Sequence, residues 1–157
     1  MKNGFTLIEM AITISVLAVL LSITTLNLLN FQDKNALSTT IETAISDIKQ
    51  QQLKSMNGTT EGNPSPAPYG IYFETNRYTL FTGNIYSSTD PYNFTTTLDS
   101  TLRITTTFPQ NLLVFTKGSG EVQGFTLPNN TITIEHTPSG LTKTITINQY
   151  GTITNIQ

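Results

Sequence analysis

Glu9 is the single acidic residue among the first 32 and stands at the entrance of a run, Met10 to Gln32, that carries no charge. A lone carboxylate at the centre of a bilayer costs on the order of 2.5–3.5 kcal/mol. Such a group either stays at headgroup level on a first helical turn, where the helix dipole favours an anion, or takes a cationic partner. The remaining chain offers few reacting groups. His136 is the only histidine, no metal or acid-base constellation forms around it by spacing, and a lone histidine at a strand end is expected at the surface. Asp90, Asp99, Glu121 and Glu135 are scattered, with no close pair to act as a dyad. There is no Gly-x-Ser-x-Gly elbow, and Gly118-Ser119-Gly120 lacks the spacing of a phosphate loop and reads as a turn. The chain has no cysteine, which excludes thiolate catalysis, disulfides and Cys-based metal sites. No catalytic residue, metal site or cofactor is assigned, and the chain is read as a non-enzyme. Asn57, Asn93 and Asn129 begin glycosylation sequons that chance supplies in so Asn- and Thr-rich a chain.

The chemistry therefore sits at the N-terminus, and the elements around it must explain why. Over Met10 to Gln32 the residues are chiefly Ile, Leu, Val, Ala and Met. A helix of about 20 such residues crosses a hydrocarbon layer of about 30 Å. Lys2 precedes the run and Asp33 and Lys34 follow it, so the positive-inside rule favours a cytoplasmic N-terminus with the bulk of the chain outside. A secretory signal peptide fits less well. The apolar run exceeds the roughly 7–15 residues usual for one, no small-x-small site closes it, and Glu9 sits at its start.

Beyond the span, Leu37, Ile41, Ala44, Ile45, Ile48 and Met56 recur at helical steps between polar residues, which predicts an amphipathic continuation. Asn57-Gly58 is a helix-ending pair, and Pro64, Pro66 and Pro68 forbid continuation. The pattern predicts helix from near Phe5 to near Met56, with Ile41, Ile45 and Ile48 facing the sheet.

EGNPSPAP at 61–68 reads as a linker, after which strand-like runs begin. YGIYF (69–73) and RYTLF (77–81) flank the tip Glu74-Thr75-Asn76 of a hairpin. LRITTTF (102–108), NLLVFT (111–116), NTITIEH (130–136) and KTITIN (143–148) follow, separated by Pro- and Gly-marked turns. Ile132 and Ile134 alternate with Thr131 and Thr133, and Ile145 and Ile147 with Thr144 and Thr146, as in a sheet with one buried face. Residues 84–100 are weakly patterned and predict a long loop. The fold class is α+β: one long N-terminal helix packed on a C-terminal antiparallel sheet. Charged residues are 11% of the chain and the net charge is −2. The cations Lys49, Lys54, Arg77, Arg103, Lys117 and Lys143 form no cluster, which argues against nucleic acid as a partner.

The string Lys2-Asn3-Gly4-Phe5-Thr6-Leu7-Ile8-Glu9, followed by an apolar run, resembles the prepilin processing motif of type IV pilins and type II secretion pseudopilins: a short basic leader ending in Gly, then Phe, then Glu at the fifth mature position. The resemblance implies that a membrane prepilin peptidase cuts after Gly4 and methylates the new amine of Phe5, with Lys2 as the basic residue of the leader and Glu9 as the charge that pairs with a neighbouring subunit's amine during assembly. It implies a pilin-like fold organised as a leader over 1–4, a transmembrane half-helix over 5–32, an amphipathic half over 33–57 and a β-rich head over 58–157. It also implies a single pass through the cytoplasmic (inner) membrane, and then a pilus or pseudopilus. The implied partners are other pilin or pseudopilin subunits, the prepilin peptidase, an inner-membrane assembly platform and, before assembly, the lipid bilayer.

The stretch from Phe115 to Asn155, with its glycine-marked strand pairs, resembles the head of the GspH/FimT group of minor pseudopilins and pilins. In DNA-binding members of that group the closing strand carries arginines after its glycine. Here Gly151 is followed by Thr152-Ile153-Thr154, which argues against that activity. Two functions are thus carried forward: a structural subunit of a type IV pilus or type II secretion pseudopilus, and a tip-located minor pilin that captures DNA or another ligand for uptake or adhesion.

Overall fold

The computed structural model describes residues 6–60 and 65–157, with side chains over the same ranges except 23–33. The chain divides into two compact units, Met1–Ala36 and Leu37–Gln157. One α-helix, α1 (Leu7–Asn57), contributes to both. No glycine or proline occurs within it, so nothing in its sequence removes a ladder hydrogen bond or adds backbone entropy.

In the first unit, α1 is apolar on every side, with Leu7, Ile8, Ile12, Leu17, Val19 and Leu21 each more than half exposed. Its hydroxyls turn back on the helix. Thr13 Oγ1 donates to Met10 O at 2.9 Å, Ser15 Oγ to Ala11 O at 2.8 Å and Ser22 Oγ to Ala18 O at 2.8 Å. Such bonds satisfy polar atoms without water. Among the described residues no helix is long and apolar enough to cross a membrane. The span expected over 5–32 includes Phe5 and the side chains of 23–33, which lie outside the described residues.

In the second unit, Leu37, Ile41, Ala44, Ile48, Gln51 and Ser55 are buried at alternating steps of four and three. From Leu37 to Ser55 is five turns at about 3.6 residues per turn, so the stripe keeps one line along the helix. Ile45 lies beside this line, partly buried against the core. Met56 leaves the stripe and is 45% exposed, because residues 51 and 55 complete the line in its place. The helix ends as Asn57-Gly58 predicts. Gly58 adopts φ +66°, and the amide of Thr59 donates to Lys54 O at 3.2 Å, closing a Schellman turn.

Among the described residues eight strands follow: β1 (Tyr69–Glu74), β2 (Arg77–Thr82), β3 (Phe94–Thr97), β4 (Leu102–Thr106), β5 (Leu112–Phe115), β6 (Thr131–His136), β7 (Leu141–Ile147) and β8 (Ile153–Ile156), with a short 3-10 turn at Pro109–Asn111 before β5. All pair antiparallel, but in two sheets rather than the one expected, with orders β3-β2-β1-β5 and β4-β6-β7-β8. Alternation in a strand shows which face is buried and leaves the pairing partner open. The two sheets and α1 share one core, which joins Ile41 and Ile48 to Ile71, Leu113, Ile134 and Ile145.

The expected loop over 84–100 contains β3, which pairs with the far side of β2. It is an edge strand with three of its four residues exposed, so it carries no alternating signal. His136 also departs from expectation and is 4% exposed. Ile132, Ile134 and His136 share one face of β6 by the two-residue period of a strand, and that face is the buried one. The ring Nδ1 lies 2.6 Å from Ser139 Oγ, tying the end of β6 to the turn that opens β7.

Candidate functional site

The first turn of α1 holds the one predicted site residue whose surroundings are described. Thr6 precedes Leu7 and is the N-cap, which places Glu9 at the third helical position. The Thr6 amide and the Thr6 hydroxyl each donate to Glu9 Oε2 at 2.8 Å, and the Glu9 amide donates to Thr6 Oγ1 at 3.3 Å. This reciprocal arrangement is a capping box, in which residues three apart satisfy amides that the helix itself cannot. The first intrahelical bond, Met10 N to Thr6 O at 3.2 Å, follows directly.

The chemistry of this arrangement is the fixing of a charge. The helix dipole and two donors hold the carboxylate at the start of the helix instead of letting it sample its rotamers. One of those donors is the Thr6 amide, so the carboxylate is folded back onto the N-terminal end of α1. Lys2, Gly4 and Phe5, the other predicted site residues, lie outside the described residues. Thr6 was not singled out from sequence, although Thr6-Leu7-Ile8-Glu9 carries the T-x-x-E signature that announces a capping box.

Elsewhere, polar side chains of α1 bind the head together. Gln51 Nε2 donates to Gly70 O at 2.8 Å and to Phe81 O at 3.2 Å. Ser55 Oγ donates to Phe115 O at 3.1 Å and accepts the amide of Tyr69 at 2.9 Å. Gln52 Nε2 donates to Gly120 O at 2.9 Å and Tyr150 O at 2.8 Å. The helix thus supplies polar partners to backbone groups of β1, β2 and β5 in the first sheet and to the turns at Gly120 and Tyr150. From sequence these residues belong to the polar face, and their i+3/i+4 continuation of the Leu37–Ile48 stripe was the available signal.

The titrating groups of the head serve structure. Tyr78 Oη donates to Asp47 Oδ2 at 2.6 Å, and burial first, then this bond and the Asp47 charge, hold the phenol well above its usual range. Hydrogen bonds from the Thr101 amide and hydroxyl, at 2.9 and 2.7 Å, lower the Asp99 carboxyl. Arg77 lowers Glu74 through a two-pronged contact, one arm of it 2.9 Å. Among the described residues no group of three His, Asp or Glu side chains is placed to hold a metal ion.

A family model described as the prokaryotic N-terminal methylation motif matches residues 1–25. That span includes Lys2, Gly4, Phe5, Thr6 and Glu9, while the whole head lies outside it. The match supports a type IV pilin-like or pseudopilin subunit. No curated protein and no solved structure matches the chain.

Proposed function

We propose that this chain is a minor pilin or pseudopilin, a structural subunit of a type IV pilus or type II secretion pseudopilus. The observation that carries the reading is the methylation motif over residues 1–25, in which Glu9 lies five positions after Gly4 and is held on the first helical turn by Thr6. Prepilin peptidase cuts after Gly4 and methylates the Phe5 amine, leaving residues 5–32 as the membrane-embedded half of α1. Residues 33–57 form its amphipathic half and residues 58–157 an extracytoplasmic head. The head is of the GspH/FimT kind, a reading supported by its glycine-marked strand pairs around Gly118, Gly120 and Gly151.

The assembly step follows from electrostatics. The amine freed on Phe5 is a cation beside lipid, and Glu9 is an anion in the same place. In low dielectric the two attract strongly and each offsets the other's desolvation, whereas either alone is costly. A subunit held in the bilayer by an inner-membrane assembly platform can leave it with its charge satisfied only when its Glu9 meets the Phe5 amine of a subunit already in the filament. Mass spectrometry of the N-terminal peptide from membrane and filament fractions tests the assignment. A peptide beginning with methylated Phe5 is expected, and an intact Met1 in both fractions overturns it.

A further inference from the structure

Between the second half of α1 and the β2–β3 edge of the first sheet lies a cleft of about 510 Å³, lined in part by Asp47, Gln51, Lys54, Phe81, Tyr92 and Phe94. Its size falls within the roughly 300–1,000 Å³ of small-molecule sites. Gln51 is 1% exposed, and its Nε2 is committed to Gly70 O and Phe81 O. Both partners are acceptors, so the orientation of the amide is forced. Its Oε1 is left buried with no partner among the described residues. With essentially no accessible surface, this oxygen offers nothing to an occupant of the cleft, and Gln51 serves to fix the backbone of the cleft wall.

Three further features narrow the class of ligand. The Asp47 carboxylate is anchored through Oδ2 by Tyr78, which orients it without exhausting its capacity to accept. Among the described residues Asp47 and Lys54 are the only charged ones lining the cleft and are opposite in sign, so the site favours no net charge in its occupant. Tyr92 and Phe94 are 57% and 64% exposed, two large rings that the core does not use. A carboxylate acceptor at the wall, balanced charge and exposed ring faces together match a ligand with adjacent hydroxyls and an apolar C–H face. A cation meets Lys54, and a polyanion meets Asp47.

We infer that this cleft binds a neutral saccharide. The inference concerns residues 37–157 alone and does not rest on processing at Gly4, so failure of the N-terminal mass spectrum and failure of sugar binding are separate outcomes.

The test uses the full chain in a zwitterionic detergent, since glycoside detergents would compete. N-acetylglucosamine, galactose and lactose are titrated by saturation-transfer-difference NMR and calorimetry, with the diamine cadaverine as a cationic control. Saturable binding of at least one sugar is expected, with no competition from cadaverine. Tyr92→Ala and Phe94→Ala should each weaken it about tenfold, the worth of one aromatic contact, without moving the thermal midpoint, because both rings are exposed. Asp47→Ala, which removes the acceptor at the cleft wall, should abolish binding while circular dichroism shows a folded head. Absence of saturable binding by all three sugars, binding unchanged in both ring variants, or preference for cadaverine overturns the inference.

Discussion

Thr6 and Glu9 cap the first turn of α1 reciprocally, the threonine amide and hydroxyl both reaching the same carboxylate oxygen at 2.8 Å. Capping and the proposed charge pairing of Glu9 are separable by mutation, because glutamine can accept the same bonds but carries no charge. If charge pairing drives assembly, Glu9→Gln and Glu9→Val lose incorporation into filaments alike, while processing and membrane insertion stay largely intact. If the cap alone matters, Glu9→Gln behaves as wild type. We expect the first pattern. Comparing sheared filaments with membranes by immunoblot decides it, and normal incorporation of Glu9→Gln, alone or together with Glu9→Val, overturns the pairing. Thr6→Val removes the cap and keeps the charge, so it should cost about 0.5–2 kcal/mol of helix stability and leave the pairing in place.

Ile41 and Ile48 are 3% and 1% exposed and face both sheets through the shared core. Truncating either to Ala should destabilise the head by about 2–5 kcal/mol. Ile45 is only partly buried and should cost less. Urea unfolding followed by far-ultraviolet circular dichroism measures the order, and an Ile45→Ala loss equal to the other two contradicts the packing described.

Gly151 sits at φ +74°, and a Cβ there would meet the Gln52 side chain and come within 2.8 Å of Gly120 O. Gly151→Ala should therefore cost about 1–3 kcal/mol by straining the turn and displacing Gln52 from Tyr150 O and Gly120 O. Ser55→Ala should cost about as much, since the Tyr69 amide and Phe115 O lose their shared partner. Thermal midpoints unchanged in both variants would show that these bonds contribute nothing.

Tyr78 predicts the alkaline behaviour. Its folded pKa is raised above the unfolded value of 10.0, so the neutral phenol is the form the fold stabilises. That stabilisation is complete below pH 10 and is lost as the pH climbs toward the folded pKa, at up to about 1.4 kcal/mol per unit. The thermal midpoint should drop above pH 10, and drop less steeply in Tyr78→Phe. The same slope in both proteins would sink this account.

The cations of the head are dispersed or engaged. Arg77 is bound to Glu74, Lys54 lies over the Tyr69 ring at 5.7 Å, Lys143 donates to Ser38 and Arg103 stands opposite Glu135 in the β4–β6 register. Binding to duplex DNA should be weak. Submicromolar affinity in an electrophoretic shift assay, falling steeply with added salt, would show a basic surface that these positions do not suggest.

Local patterns settled much of this protein in advance. The charge-free run after Glu9, the Asn57-Gly58 stop and the alternation in β6 and β7 each act within a few residues, so α1, its end and most strands were legible from the chain itself. The Thr6–Glu9 cap was legible too, being a three-residue relation. What tertiary structure alone decided are relations between distant residues. Two sheets formed rather than one because strand alternation specifies a buried face and no partner. β3 was hidden because an edge strand exposed on both faces has no hydrophobic period to display. Gln51, Gln52 and Ser55 read as solvent-facing residues from the chain alone; only the fold brings the first sheet and the turns at Gly120 and Tyr150 against them, where backbone groups require hydrogen-bond partners. The cleft beside Gln51 exists for the same reason: it needs α1, β2 and the Tyr92–Phe94 segment in one place, and no spacing along the chain encodes that meeting.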